Sequence, residues 1–446
     1  MRRILYDFTY ATRGKSGIPN DTRSVSQILL NEKTNDVDFL VFPRSFVRKN
    51  SARLSVIEIS QYVSATFKMN AGRTVLPVGV TKFYSLLQAL SLNSRIKIIA
   101  VSDIFETQAR RLISNSNKSL VLPRRVFIAA ISNLARFARP SSLGLFQIKT
   151  NGYDYYIQHQ CDPIKVSKKT VHIVRLHDIL PITNPQFFDD LAVTAFSKSL
   201  KKMLNQRDIV WVMDSTDSAN EFQSLFGPDR KVHAIPCEVG AHLRPHVNLK
   251  TLKKNQIIVV NTIEPRKNVL SAIEGFRLAI RKGLLPKNYK LIIVGGFGWQ
   301  EEKLYGDLKN GKFGRNVLYY DECREEELAR LLNESKLLLS ASYAEGFSLP
   351  PLEGMLFGCV PVVSSIQQHF ETMGSHAIYF EEQIDSIALA LKRAHVLASK
   401  DSKQKSLLNL YVNQNFSGNS ISNQWNDLFQ KMENRTGNQK KKDSSK

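Results

Sequence analysis

The chain is short of cysteine and of long apolar runs. Its 446 residues include four cysteines, Cys161, Cys237, Cys323 and Cys359, and no two of them have the CxxC spacing of zinc or redox motifs. This argues against a disulfide-rich scaffold and predicts free, buried thiols in a reducing compartment. No run of about eighteen apolar residues occurs, so we expect no membrane-spanning helix.

Acidic residues are also in short supply. The chain has 62 lysines and arginines against 40 aspartates and glutamates, which gives a formal net charge of +22. Such a charge suits nucleic acid, an anionic membrane surface or an anionic substrate such as a nucleoside diphosphate. No zinc-finger or RNP motif is present, so nucleic acid is the least favoured partner of the three.

The two ends of the chain differ in character. The first residues, MRRILYDFTY, are basic and then apolar, as at the start of a signal peptide. Asp7 interrupts the apolar part early and no small-residue cleavage site follows, so we predict a buried first strand and a cytoplasmic chain. Residues 434–446 are polar and charged, which predicts a disordered basic tail.

Apolar strand-like runs alternate with segments of helical periodicity. The strand candidates in the second half are NQIIVVNT, YKLIIVGGFG, KLLLSAS and CVPVVSS, and those in the first half include RILYDFTY, DFLVFP, KIIAVSD, TVHIVRLHDILPI, DIVWVMDST and KVHAIP. Strands without an alternating polar face, separated by helices, predict α/β domains with parallel sheets covered on both faces. We place the domains at 1–245 and 246–433, with the last helix a candidate to pack back on the first domain.

The segment EGFSLPPLEGMLFG contains two glutamates, Glu345 and Glu353, around a turn that precedes a helix. The unpaired N–H groups at a helix start attract anions, and carboxylates accept hydrogen bonds from sugar hydroxyls. Both chemistries together suit a nucleotide sugar. The alternatives are a solvated loop residue for Glu345 and a partner of the helix dipole for Glu353.

Three further motifs follow strands. In NTIEPRKN, Arg266 and Lys267 are cations near a helix start, where they oppose the dipole, so we expect an anionic ligand rather than a merely charged surface helix. In IIVGGFGW, glycines allow close backbone approach, although the GxGxxG spacing is absent. In VRLHDILPI, His177 ends a strand, where it either contacts a hydroxyl or is a satisfied structural histidine.

Two segments favour competing interpretations. The DVD sequence at Asp36 to Asp38 has the spacing of a metal-binding motif, but it lies away from the other motifs and we interpret it as a turn. Segment 123–140 has apolar residues on one side and arginines on the other when it is drawn as a helix. Such a helix suits either an anionic membrane surface or packing on the sheet of the first domain.

These motifs, in this order, resemble the retaining glycosyltransferases of family 4, also called group 1, and within them the bacterial mannosyl- and rhamnosyltransferases. EGFSLPPLE resembles the E-x7-E signature, and IEPRKN the phosphate-binding segment. The resemblance is specific from about residue 256 to 366 and implies the GT-B architecture, two Rossmann-like domains facing each other across a cleft. The chain departs from the family pattern where Asn261 and Ser348 replace glycines, and also in IPCEVGAHL and VMDSTDS.

The resemblance also implies roles for individual residues. The N-terminal domain binds the acceptor and the C-terminal domain binds the donor. A loop, GKSGIPNDTRSV, is expected over the diphosphate near Gly17. The implied catalytic residues are Glu345, His177, Lys267 and Arg266. The implied donor-binding residues are Glu353, Gly346, Phe347, Ser348, Leu349, Gly295, Gly296 and Gly17.

The resemblance implies retaining transfer of a hexose, with mannose the first candidate, from a nucleotide sugar to a surface polysaccharide, lipopolysaccharide or lipid-linked glycan. No metal and no other cofactor is expected, because preplaced cations and helix N–H groups stabilise the leaving diphosphate. The chain is expected in the cytoplasm, peripheral on the inner face of the membrane. The alternatives are a nucleotide-sugar hydrolase or epimerase on the same fold, and an inactive glycan- or nucleotide-binding scaffold.

Overall fold

The structure, a computed structural model, describes residues 1–12, 17–41, 97–100, 125–128, 146–148, 150–400 and 403–443. They form two α/β domains, each built on a large sheet. The first domain contains strands β1 (Arg2–Asp7), β2 (Asn35–Val41), β3 (Lys97–Ala100), β4 (Arg125–Ile128), β5 (Phe146–Gln147), β6 (Tyr155–His159), β7 (Ile164–Lys165), β8 (Val171–Arg175), β9 (Val210–Met213) and β10 (Lys231–Ala234). Its helices are α1 (Gly17–Asn31), α2 (Leu180–Thr183), α3 (Asp190–Leu204) and α4 (Thr216–Phe226).

The first sheet has eight strands in the order β10-β9-β8-β6-β1-β2-β4-β3. Its neighbouring strands are parallel, apart from β3, which pairs antiparallel with β4 at the edge. The central strand β6 is buried throughout, because helices cover both faces of the sheet. This double burial explains the uninterrupted apolar runs of the sequence.

The second domain repeats the arrangement. Its strands are β11 (Lys254–Val260), β12 (Lys290–Val294), β13 (Val317–Tyr320), β14 (Ser335–Ser340), β15 (Val360–Ser364) and β16 (Ile378–Phe380). Its helices are α5 (Val269–Arg281), α6 (Glu302–Lys309), α7 (Glu325–Glu334), α8 (Leu349–Leu356), α9 (Gln367–Met373), α10 (Ile384–Lys400) and α11 (Gln404–Phe416). The six parallel strands have the order β13-β12-β11-β14-β15-β16. The predicted α/β class with two Rossmann-like domains is confirmed.

The last helix, α12 (Gly418–Asp443), leaves the second domain and packs on the first. Its residues Ile421, Trp425, Leu428 and Phe429 lie in one core cluster with residues of β1 and α1. The predicted disordered tail from residue 434 is wrong up to Asp443, which ends this helix. A polar segment that extends an existing helix avoids the unfavourable nucleation step, so it needs no apolar face of its own.

Three local predictions also need correction. Asp36 and Asp38 lie within β2 rather than in a turn, and Asp38 accepts a hydrogen bond from the Tyr153 hydroxyl at 2.6 Å. Within segment 123–140, residues 125–128 form β4 because they pair with β2, and the rest lies outside the described residues. The predicted loop GKSGIPNDTRSV is helical from Gly17 onward, with Pro19 near the start, where its missing N–H costs little.

Candidate active site

Glu345 lies in the loop that follows β14, at the carboxyl edge of the second sheet. Its side chain is buried, with 5% of the residue exposed. Arg266 Nη1 and Lys267 Nζ each donate a hydrogen bond to its carboxylate at 2.6 Å. The structure therefore brings three of the predicted catalytic residues into one ion-pair cluster. Glu345 is far from Arg266 and Lys267 in the sequence, so motif spacing alone could not predict these contacts.

Arg266 and Lys267 belong to a 3₁₀ turn, Pro265–Lys267, between β11 and α5. Glu264 precedes this turn and accepts a hydrogen bond from Arg266 Nη2 at 2.8 Å. The four side chains of Glu264, Arg266, Lys267 and Glu345 thus sum to zero formal charge. The Nε atom of Arg266 is buried and has no hydrogen-bond partner within the described part of the chain, so one guanidinium donor is free for a ligand.

The ion pairs decide the protonation of Glu345. Burial alone would raise the pKa of the Glu345 carboxyl, but Lys267 and Arg266 outweigh burial and hold that pKa well below its usual range. Burial lowers the pKa of Lys267 against the opposing pull of Glu345. Because a carboxylate with two cations is strongly favoured over the neutral acid, Glu345 is ionised at neutral pH.

The turn after Glu345 starts helix α8. Ser348 caps this helix with φ of 70°, a left-handed conformation that a serine adopts only with other support. That support includes a hydrogen bond between its hydroxyl and His369 Nε2 at 2.9 Å. Since the hydroxyl does not cap the helix, the backbone N–H of Leu349, the first residue of α8, remains available to an anion together with that of Ser348. The next two residues, Pro350 and Pro351, have no backbone N–H.

Glu353 lies one turn further along α8 and differs from Glu345 in having no cation beside it. Burial raises its pKa to about 7, with no opposing charge. Its carboxylate makes no hydrogen bond or ion pair among the described residues, and its Cγ lies 3.9 Å from where a Cβ would stand on Gly240. A half-buried, unpaired carboxyl group is an acceptor that a ligand hydroxyl can complete.

The two predicted glycines after β12 differ in how strongly their backbone surroundings require glycine. Gly295 has φ of 146°, and a Cβ there would stand 1.9 Å from the Asn261 carbonyl oxygen, so only glycine fits. Its close backbone approach is to the neighbouring strand. Gly296 is less constrained, since the nearest atom to its Cβ position is 3.6 Å away, on Asp321.

His177 follows β8 and lies within a buried network of the first domain. Its Nδ1 donates to Asp214 Oδ2 at 2.7 Å, and its Nε2 lies 3.4 Å from His159 Nδ1. The Tyr6 hydroxyl donates to the Thr22 carbonyl, so its oxygen accepts from His159 Nε2 at 2.6 Å. His159 Nδ1 is then an acceptor, and His177 carries both ring protons as a cation.

The pKa directions agree with this assignment. Burial opposes the charge on His177, but Asp214 and Asp21 outweigh it and raise its pKa. Burial lowers the pKa of His159 well below its usual range. The charged His177 ring is therefore oriented from both nitrogens by groups of its own domain, and only 8% of its side chain is exposed.

Arg175 anchors the same network from β8. Its Nε and Nη2 atoms donate to the two carboxylate oxygens of Asp21 at 2.5 and 3.0 Å, and Nη2 lies 3.1 Å from Asp214 Oδ1. The sequence motifs did not identify Arg175, Asp21 and Asp214 as site residues. A charged residue inside the apolar run VHIVRLHD was the available signal for Arg175, because burying an arginine requires carboxylate partners.

The two domains meet directly at the turn of Gly346. A Cβ on Gly346 would stand 2.9 Å from both the His177 carbonyl oxygen and the Asp178 Cβ atom. Ser215 Oγ donates to the Gly346 carbonyl at 2.9 Å. Gly17, the first residue of α1, faces Leu349 of α8, whose side chain would lie 3.7 Å from its Cβ. The predicted residues of the first domain thus border the predicted donor turn.

Further contacts close the interface at two other points. Glu371 of α9 accepts from the backbone N–H groups of Thr216 and Asp217 at 2.6 and 2.9 Å, so the second domain caps helix α4 of the first. Trp299 Nε1 donates to the Phe187 carbonyl at 2.8 Å, and the Phe187 ring stacks on Tyr343 with centroids 5.5 Å apart. The turn of Gly346 is therefore enclosed between the two domains.

Among the described residues, two groups in the first domain have the ligand atoms for a metal ion. One consists of Asp21, His159 and His177, and the other of His177, Asp214 and Cys237. The Arg175 guanidinium already pairs with Asp21 and Asp214, so a cation occupies the position that would attract a metal. The expectation of a metal-independent enzyme stays a prediction.

Among the described residues, no helix combines the length and the apolar character that crossing a membrane requires.

The second domain contains the segment that matches a known protein family. The family model described as "Glycosyl transferases group 1" matches residues 244–407. The O-antigen chain mannosyltransferase B of Escherichia coli is 26% identical over 260 residues, which are 56% of this chain and 64% of that protein, just under two thirds.

Solved structures match over nearly the whole chain. Sucrose-phosphate synthase from Thermosynechococcus elongatus has a TM-score of 0.59 at 13% identity, with 97% of this chain and 99% of that chain covered. The Anabaena protein HepE, solved in complex with UDP and glucose, has a TM-score of 0.57 at 14% identity, with 97% and 100% covered. These structural similarities cover both halves of the chain. The fold is the GT-B architecture.

Proposed function

Residues 244–407 belong to the glycosyl transferases group 1 family, and from this premise we propose that the chain is a retaining glycosyltransferase. It transfers a hexose from a nucleotide sugar to the growing glycan of a surface polysaccharide, lipopolysaccharide or lipid-linked precursor. Mannose is the first candidate for the hexose, because the Escherichia coli relative is a mannosyltransferase acting on O-antigen.

The observation that carries the proposal is the cluster of Arg266, Lys267 and Glu345 beside the start of α8. The cluster presents cationic donors and a carboxylate within one buried site. The unpaired Arg266 Nε–H and the backbone N–H groups of Ser348 and Leu349 suit phosphate oxygens, and the carboxylates suit hydroxyls. A nucleotide sugar carries both kinds of group within one molecule.

The side chains of Glu264, Arg266, Lys267 and Glu345 together have zero formal charge, and this limits how strongly they attract a diphosphate. Glu345 uses one of the three Lys267 donors, and Arg266 has five donors in total. Both cations therefore contact phosphate oxygens while they remain bonded to Glu345. The remaining positive potential comes from the N–H groups of Ser348 and Leu349 at the start of α8, whose partial charges favour an anion. Glu345 in turn orients both cations and offers its outer oxygen lone pairs to the hexose.

The reaction breaks the bond between the anomeric carbon and the diphosphate oxygen, and the electron pair leaves with the diphosphate. Arg266, Lys267 and the helix N–H groups stabilise the charge that develops there. The acceptor hydroxyl oxygen forms the new bond on the same face of the sugar and loses its proton to the departing phosphate. His177, held as a cation by Asp214, adds positive charge at the first-domain wall of the site.

The test is a panel of UDP- and GDP-linked hexoses assayed for nucleoside diphosphate release, with and without lipid-linked and soluble glycan acceptors. We expect acceptor-dependent release with one donor, and a product whose new linkage keeps the anomeric configuration by NMR. Release without acceptor would favour the hydrolase alternative, and donor binding without turnover across the panel would favour the scaffold.

We further propose peripheral attachment to the inner face of the membrane. The support is the formal charge of +22 and the lipid-linked nature of one proposed acceptor class. Flotation with anionic liposomes should carry the protein to the lipid fraction at low salt and release it at high salt, because surface electrostatics is screened. Absence of flotation at low salt would contradict the attachment.

A further inference from the structure

Asn261 lies at the carboxyl end of β11, the strand between β12 and β14 in the second sheet. Its backbone N–H donates to the Val294 carbonyl at 3.0 Å, and its own carbonyl oxygen packs on Gly295. The position of the residue is thus defined by strand pairing on the β12 side. Its side chain takes no part in that pairing.

The Asn261 side chain is buried, with 6% of the residue exposed. Neither its Oδ1 nor its Nδ2 has a hydrogen-bond partner within the part of the chain that the structure describes. Each buried polar group without a partner costs roughly 1–3 kcal/mol, so folding alone disfavours an asparagine here. An alanine or glycine would avoid the penalty.

Asn333 shows how the same domain satisfies a buried amide. Asn333 is 9% exposed, its Oδ1 accepts from the Asn248 N–H at 2.9 Å, and its Nδ2 donates to the His246 carbonyl at 2.8 Å. Both of its polar atoms therefore have protein partners. The contrast indicates that the partners of Asn261 come from outside the described residues.

The surroundings of Asn261 indicate which ligand supplies them. It begins the loop that carries Arg266 and Lys267, and the adjacent strand β14 leads into the loop of Glu345. Open parallel sheets bind ligands at the carboxyl ends of their strands, where these loops meet. The unpaired amide thus lies at the base of the proposed donor site.

We propose that Asn261 is a specificity-determining residue of the donor site and that its amide hydrogen-bonds a hydroxyl of the nucleotide sugar. This inference rests on the proposed function. An amide both donates and accepts, as a hydroxyl does, whereas a phosphate oxygen only accepts and would leave Oδ1 unpaired. The hydroxyl belongs either to the ribose or to the hexose, and the experiment separates the two.

The test compares Asn261→Ala with the matched control Asn333→Ala. Melting temperature without ligand, and affinity for the nucleoside diphosphate and for the intact nucleotide sugar by calorimetry, are measured for both. Asn261→Ala should melt at the wild-type temperature or above and bind donor about tenfold more weakly, since one ligand hydrogen bond is lost. Asn333→Ala should melt at a lower temperature and bind donor as the wild type does.

The two ligands locate the hydroxyl. A weakening for both the diphosphate and the nucleotide sugar assigns it to the ribose, and a weakening for the nucleotide sugar alone assigns it to the hexose. Unchanged donor affinity in Asn261→Ala, or lost stability with unchanged affinity, overturns the inference. A wild-type chain that binds no nucleotide sugar overturns the proposed function, and the inference with it.

Discussion

At the scale of single residues, the two glutamates of the donor turn have opposite electrostatic environments. Glu345 lies between two cations that hold its pKa low, whereas Glu353 is half-buried without a cation and its pKa is raised to about 7. The two glutamates of the same signature therefore differ in pKa. Each behaviour makes a separate prediction.

Replacing Glu345 by glutamine removes the charge but keeps the shape of the side chain. We expect turnover to fall at least a hundredfold, and the free energy of unfolding to fall by about 3–5 kcal/mol, because two buried cations lose their counter-charge. Initial rates and urea unfolding measure the two effects.

The control for this change is Glu334→Gln, since Glu334 also forms ion pairs, with Lys254 at 2.9 Å and Arg330 at 3.1 Å, but both of these cations are exposed. This control should change turnover less than twofold. A Glu345→Gln enzyme within threefold of the wild-type rate would remove Glu345 from the mechanism.

Glu353 should make donor binding depend on pH. The ionised carboxylate accepts ribose hydroxyls, so affinity for the nucleoside diphosphate should rise as pH increases through about 7, the pKa of Glu353. Glu353→Gln should bind more weakly than wild type above that pH and show a flatter profile. Calorimetry on either side of pH 7 measures the difference, and parallel profiles would contradict the assignment.

The same raised pKa has a consequence for stability. Because the folded pKa of about 7 exceeds the ordinary value of 4.5, the unliganded wild type should lose stability relative to Glu353→Gln as pH rises from about 4.5 through 7. Burying the charged form is the cause. Urea unfolding of both proteins across this range measures it, and a constant difference between them would contradict the burial argument.

At the scale of elements, the start of α8 forms one of the contacts between the domains. Its turn approaches the strand end of His177 closely because Gly346 has no side chain. Ser215 bonds the same turn, and Glu371 caps α4 from the opposite domain. The close approach at Gly346 and the Ser215 hydrogen bond therefore join this turn to the first domain, and Glu371 joins α9 to α4.

Replacing Gly346 by alanine tests this contact. The added Cβ would stand 2.9 Å from first-domain atoms, so we expect the domains to separate slightly and turnover to fall by one to two orders of magnitude. Affinity for the nucleoside diphosphate should fall less than turnover, because the added Cβ meets atoms of His177 and Asp178 in the first domain. Gly306→Ala, with nothing within 4 Å of its Cβ position, is the control. Wild-type turnover in Gly346→Ala would show that the close approach is not needed.

At the scale of the whole molecule, the chain crosses between domains twice. It leaves the first domain after β10 and returns to it through α12. The last helix therefore completes the hydrophobic core to which the first strand, β1, also contributes. Trp425 of α12 is buried at 1% exposure, and the Arg175 guanidinium lies 6.0 Å from its ring centroid. The C-terminal helix therefore covers the network that holds His177.

Trp425→Ala should destabilise the first domain. We expect the free energy of unfolding to fall by about 3–5 kcal/mol, the range for truncating a large buried aromatic. Urea unfolding of the full chain measures it. Leu410→Ala, at a half-exposed position on α11, should change stability by less than about 0.5 kcal/mol. A Trp425→Ala loss below about 1 kcal/mol would mean that α12 is not part of that core.

The sequence by itself determined the α/β class and the motifs of Arg266, Lys267 and Glu345 that the structure brings together, because apolar periodicity and strand-end motifs are local properties of the chain. The bonding of Glu345 to Arg266 and Lys267, the embedding of His177 behind Asp214, and the partnerless amide of Asn261 were decided by the tertiary structure. Those features depend on which strand ends become neighbours and on which side chains become buried away from solvent. Burial and pairing are set by residues distant in sequence, and no local pattern records them.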